Sequence, residues 1–95
     1  MSVVVSAVAP ERFADMYEEV SGKVMPGDEL PAGCELHIAG PVEDGWRVIT
    51  VWESREDFDR FREEKLLPAI REVAGDEVPP TAEPEIGPVH KLIAR

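Results

Sequence analysis

One cysteine, two histidines, two tryptophans, one tyrosine and three phenylalanines are the chemically versatile residues of this 95-residue chain, and their scarcity removes several function classes at once. With Cys34 as the single cysteine, no intrachain disulfide can form and a thiolate metal site is not expected. His37 and His90 have no carboxylate partner at ligand spacing, so no metal centre is expected from them either. No apolar run approaches the roughly 20 residues of a membrane span. The N-terminus lacks the basic start of a secretion signal, so the expected location is the cytoplasm, without membrane contact. Basic side chains are few as well. Ten Lys and Arg stand against twenty Asp and Glu, and a formal net charge of -10 would repel nucleic acid and anionic membranes alike. The acidity itself reads as a solubility feature. There is no internal repeat, no low-complexity tract and no catalytic motif.

What is present describes an ordinary globular protein. Hydrophobic residues make up 43% of the chain and charged residues 32%, which is too apolar for a disordered segment. Residues 1–95 read as one domain. A domain of this size removes only about two thirds of its unfolded surface from water, so its stability margin is thin unless association buries more.

The stretch from Asp44 to Leu67, DGWRVITVWESREDFDRFREEKLL, organises the reading. Trp46, Val48, Thr50 and Trp52 fall on one face of a strand, with Ile49 and Val51 on the other. Neither face is polar, so the strand belongs in the middle of a sheet that is covered twice. Asp44-Gly45 before it signals a hairpin, in which glycine is expected to supply a positive φ. After it, Ser54 is a natural N-cap and Asp57 completes a variant capping box. Phe58, Phe61, Leu66, Ala69, Ile70 and Val73 then recur at roughly helical spacing. Pro68 should kink that helix or start a second one at Leu67 or Pro68.

The rest of the chain follows in order. Ser2 to Val8 is a β-branched strand, with Val3, Val5 and Ala7 on one face and Val4 and Val8 on the other. Pro10 opens a helix whose apolar face is Phe13, Met16, Tyr17 and Val20, running to about Ser21 with Gly22 as its stop. Gly22 to Gly33 reads as a loop, either a lid or a plain connection. Cys34 to Val42 is a strand with Cys34, Leu36 and Ile38 on one face and Glu35, His37 and Ala39 on the other, in an edge position. Gly75 to Pro84 is a proline-rich extended connection. The last strand runs from about Glu85 to Ile93, on an edge because Pro88 cannot donate to a ladder.

This order, β-α-β-β-α-β, is the α+β ferredoxin-like arrangement: a four-stranded antiparallel sheet with two helices on one face. The uncovered face would be an apolar patch, so a homodimer with sheets packed face to face is expected.

The segment EDGWRVITVWESREDFDRF, with Trp52, Glu53 and Ser54 spaced ahead of Phe58 and Phe61, resembles the dimeric α/β-barrel superfamily. Within it the likeness is to the antibiotic biosynthesis monooxygenase-like group and its small actinobacterial relatives. The resemblance implies a homodimeric α/β barrel with cavities between each sheet and its helices. Some members of that group oxidise polycyclic aromatic substrates without a cofactor, and others degrade haem. No cofactor is expected for this chain.

Three readings of function follow. In the first, the protein binds a small apolar or aromatic molecule between sheet and helices, with Trp46, Trp52, Phe13, Phe58, Phe61 and His90 as ligand-binding residues. In the second, it is a cofactor-independent monooxygenase of an aromatic polyketide-like substrate, with His37 and Tyr17 as catalytic residues that position and deprotonate it. In the third, the aromatics fill a core and the protein is a non-catalytic structural dimer. A cavity of several hundred Å³ with a histidine or tyrosine on its wall would favour the first two, and a solid interior the third.

Overall fold

The strand bearing both tryptophans takes the inner place that its two apolar faces demand. The computed structural model describes residues 2–11, 13–75 and 84–93. In chain order these form β1 (Val3–Pro10), α1 (Phe13–Val24), a short 3-10 turn (Pro26–Asp28), β2 (Cys34–Val42), β3 (Gly45–Trp52), α2 (Arg55–Phe61), a π-helical turn (Arg62–Leu66), α3 (Leu67–Ala74) and β4 (Glu85–Pro88). The sheet is antiparallel in the order β2-β3-β1-β4, and the helices pack on one of its faces, giving the ferredoxin-like α+β arrangement. The proline-rich connection expected from Gly75 to Pro84 lies, but for its two end residues, outside the described residues.

β1 and β3 pair through Val3↔Trp52, Val5↔Thr50, Ala7↔Val48 and Ala9↔Trp46, and these pairs share the helix-facing side. Partners directly opposite in an antiparallel ladder project the same way, so one register places both tryptophans under the helices among small and β-branched side chains. On the other side, Ile38 is 50% and Val8 44% exposed.

Gly45 closes the hairpin for a reason other than the expected one. Its φ is not positive; a Cβ there would instead run into the carbonyl oxygen of Ala9 on β1. The hairpin is tight because Val42 and Gly45 are paired directly, with Glu43 and Asp44 alone between them.

Three local features depart from simple periodicity. β2 carries a bulge between Cys34 and Leu36, because Cys34 pairs with Trp52 and Leu36 with Val51. The extra residue, Glu35, reverses the alternation, so His37 joins Cys34 on the helix face and does not oppose it. α1 does not stop at Gly22 but continues to Val24, and chain reversal follows at Gly27, whose φ is +69°. β4 ends at Pro88, so the segment expected to be strand to Ile93 leaves the sheet after four residues.

The Ser54 cap forms as expected. The Asp57 backbone N–H donates to Ser54 Oγ at 3.2 Å, and the Ser54 hydroxyl donates to the Asp57 carboxylate at 3.0 Å. Asp57 also packs over Gly33, where φ is +84° and a Cβ would lie 2.6 Å from the carboxylate carbon. Of the two outcomes expected at Pro68, a second helix starts at Leu67. Pro68 lies in the first turn of α3, just after a π turn in which the Leu67 N–H bonds to the Arg62 carbonyl. A proline clashes with the carbonyl four residues back, and the wider turn is where the helix makes room for it.

Two glycine substitutions should move stability in opposite directions. Gly45→Ala forces a methyl against backbone and is expected to cost about 1–3 kcal/mol. Gly22→Ala, inside α1 with nothing within 4 Å of the added Cβ, is expected to gain about 0.5–1 kcal/mol. Urea midpoints of the two variants against the parent chain check both signs.

Candidate functional site

The buried apolar side chains divide into two groups. Ala9, Phe13, Val20, Ala69 and Ile70 form one cluster, against which Tyr17, Trp46 and Leu66 pack. Val5, Trp52 and Phe58 form the other, with Val3, Cys34, Phe61 and Ile86 against it. Both clusters contribute to the wall of a cavity of about 160 Å³ between the sheet and the helices. That is short of the several hundred Å³ expected for a roomy pocket, yet comparable to an apolar cavity of ~150 Å³ that admits a benzene ring.

The cavity wall carries Phe13, Tyr17, Trp46, Trp52, Phe58 and Phe61, which are all the aromatic side chains of the chain. They come in pairs from α1, β3 and α2 and contact one another across these elements. Trp52, 1% exposed, lies 5.8 Å from Phe58 edge-on and 5.1 Å from Phe61, centroid to centroid. Its indole N–H donates to the Thr50 hydroxyl at 2.8 Å, which satisfies the one polar atom that its burial would otherwise strand. Trp46, by contrast, has a buried indole N–H with no partner among the described residues.

At the Trp46 end the polar groups gather around Tyr17. Its ring is 5.0 Å from Trp46 and stacks at 28° on His37. The Tyr17 hydroxyl and His37 Nε2 are 2.6 Å apart, close enough for a short hydrogen bond whose donor depends on the imidazole tautomer. Burial lowers the pKa of His37 and raises that of Tyr17, the latter opposed by the Ser21 hydroxyl and helped by the charges of Glu18 and Asp28. Both groups are therefore neutral at neutral pH, and one of them supplies the proton between them. A neutral imidazole held by a phenol can accept a proton from an acidic hydroxyl in the cavity. Cys34 also lines the wall, but burial raises its thiol pKa, its Sγ lies 3.4 Å from the Leu36 carbonyl, and it stays a protonated, weak nucleophile.

His37 and Tyr17, Trp46 and Trp52, and Phe13, Phe58 and Phe61 thus converge on one space. His90 does not join them. It follows the end of β4 and borders a separate groove on the opposite face, with Val4, Val51, Val89 and Leu92. Because the strand stops at Pro88, the register that would have carried His90 along the sheet is absent. Arg62 is on the wall and was not among the expected residues. It stands four residues after Phe58 and four before Leu66, so a lone cation on the apolar stripe of the helix was the available signal. Among the described residues no group of three or more His, Cys, Asp or Glu comes together to hold a metal ion.

No protein-family profile matches the sequence, and no curated protein does. The fold, however, matches solved structures across nearly the whole chain. A point mutant of SnoaB, a cofactor-independent oxygenase from Streptomyces nogalater, superposes with a TM-score of 0.62 at 12% identity, over 99% of this chain and 97% of that one. The haem degrader MhuD from Mycobacterium tuberculosis, with two haems in its active site, gives 0.59 at 23% identity, over 99% and 100%. These are antibiotic biosynthesis monooxygenase-like proteins of the ferredoxin fold, and the likeness shows that this chain shares their fold.

The lowered His37 pKa has a consequence for stability. A histidine whose folded pKa lies below its unfolded value of about 6.5 binds fewer protons folded than unfolded, so stability falls as pH drops through 6.5 toward the folded pKa. Urea unfolding at about pH 7.5 and about pH 5.5, on either side of that value, should show the loss, and His37→Gln should reduce it.

Proposed function

We propose that this protein binds a small apolar or aromatic molecule in the cavity between sheet and helices, as one domain of a cytoplasmic homodimer. The observation that carries the reading is the placement of every aromatic side chain on the wall of one cavity. The rings touch within each group, Tyr17 on Trp46 and Trp52 on Phe58 and Phe61. Here two packed clusters face each other across unfilled space. Offset and edge-on ring contacts each contribute about 0.5–1.5 kcal/mol beyond area burial, and a flat ligand would gain the same contacts from several sides.

A second reading, cofactor-independent oxygenation, rests on the Tyr17–His37 pair. His37 would take the hydroxyl proton of a hydroxyaromatic ligand, and the resulting electron-rich ring would itself reduce dioxygen. The fold similarity to a cofactor-independent oxygenase supports this reading. The homodimer rests on the bare sheet face, where Ile38 and Val8 stand exposed.

Calorimetric titration with phenol should give one site per chain, and Val48→Phe, which fills the cavity from the central strand, should weaken binding at least about tenfold. A value unchanged in the variant would remove the cavity as the binding place. In an oxygen electrode, His37→Ala should abolish turnover of a hydroxyaromatic that the parent chain consumes; unchanged turnover excludes His37 from the chemistry. By sedimentation the parent chain should run at twice its 10.5 kDa mass, and Ile38→Asp at the single mass.

A further inference from the structure

Charge is distributed over this protein in a way that the cavity inverts. Asp and Glu outnumber Lys and Arg twenty to ten, yet among the described residues no Asp, Glu or Lys lines the cavity, and Arg62 is the one Lys or Arg that does. Chance placement from this composition would favour a carboxylate.

The position of Arg62 is built. It is the first residue of the π turn, directly after Phe61, and half-buried. Two carboxylates of the preceding helical turns are matched elsewhere. Asp59, three residues before it, is 3.7 Å from Arg55, and Asp57 is 3.5 Å from Arg60. Among the described residues Arg62 has no ion pair and no side-chain hydrogen bond. A planar guanidinium that no described carboxylate pairs, on a residue that lines an apolar wall, matches an oxyanion.

We infer that the ligand of this cavity is an acid, an aromatic or apolar body carrying a carboxylate or an ionised hydroxyl, and that Arg62 is the residue that binds its charge. This rests on the cavity being a binding site, and it adds the class of molecule that the cavity selects. The aromatic wall would accept any flat ligand of suitable size. Arg62 would favour the anion over its neutral analogue, and the acidic remainder of the surface would keep anions from binding elsewhere.

The test is calorimetric titration of 4-ethylbenzoate and its neutral amide, 4-ethylbenzamide, into the parent chain, Arg62→Gln and Arg62→Lys, with urea midpoints to verify that each variant is folded. The parent should bind the acid at least about tenfold more tightly than the amide, as one charge-assisted contact allows. Arg62→Gln should abolish that preference while leaving amide affinity within about twofold, and Arg62→Lys should keep part of it. Salt should weaken the acid and not the amide. Equal binding of acid and amide by the parent, or a preference that survives in folded Arg62→Gln, overturns the role of Arg62 and leaves the cavity as a binding site. Failure of both probes to bind overturns the acid and the binding reading together.

Discussion

The antiparallel ladder between β1 and β3 is the constraint on which the rest of the structure depends. Eight residues of each strand pair without a break, from Val3↔Trp52 to Pro10↔Gly45. A slip of one residue would send both tryptophans to the outer face and expose every β-branched side chain now beneath the helices. Gly45 holds one end of this register, since only a residue without a Cβ approaches the Ala9 carbonyl so closely. At the other end, the backbone N–H of Glu53 donates to the Gly33 carbonyl at 2.8 Å, and Gly33 in turn lies under the Asp57 of the helix cap. Sheet register and helix start are thereby one assembly.

The site is a product of that assembly and of two irregularities. Without the bulge at Glu35, the alternation of β2 would put His37 on the face opposite Cys34, away from Tyr17. The π turn gives the second irregularity, at the point where Phe61 and Arg62 reach the wall from α2 and its end. Both cost regular backbone hydrogen bonding, and both lie beside the same space.

Much of this was legible in the chain itself. The order of elements, the inner position of β3, its Trp46/Val48/Thr50/Trp52 face and the Ser54 cap all follow from periodicities of about two and 3.6 and from the hydrogen-bonding habits of a serine before a helix. Seven of the eight residues singled out for chemistry or ligand contact border one cavity, although their roles there are proposals. What was not legible lies at three irregular points. A bulge inserts one residue into a strand without changing its composition, so Cys34 to Val42 reads as unbroken alternation and His37 falls on the wrong face. Gly22 reads as a stop because glycine weakens helices, but here packing of Phe13 and Val20 carries α1 two residues past it. The strand expected from about Glu85 to Ile93 stops at Pro88, which cannot donate to the ladder.

The gathering of all six rings has an optical consequence. Near-ultraviolet absorption, circular dichroism and emission in proteins come from tryptophan, tyrosine and phenylalanine, and in this one those chromophores stand nowhere except around the cavity. The intrinsic spectrum is therefore an unlabelled reporter of that space alone, blind to the outer sheet face. A spectroscopist watching this protein sees its interior fill or stay empty, with no background from the remainder of the chain.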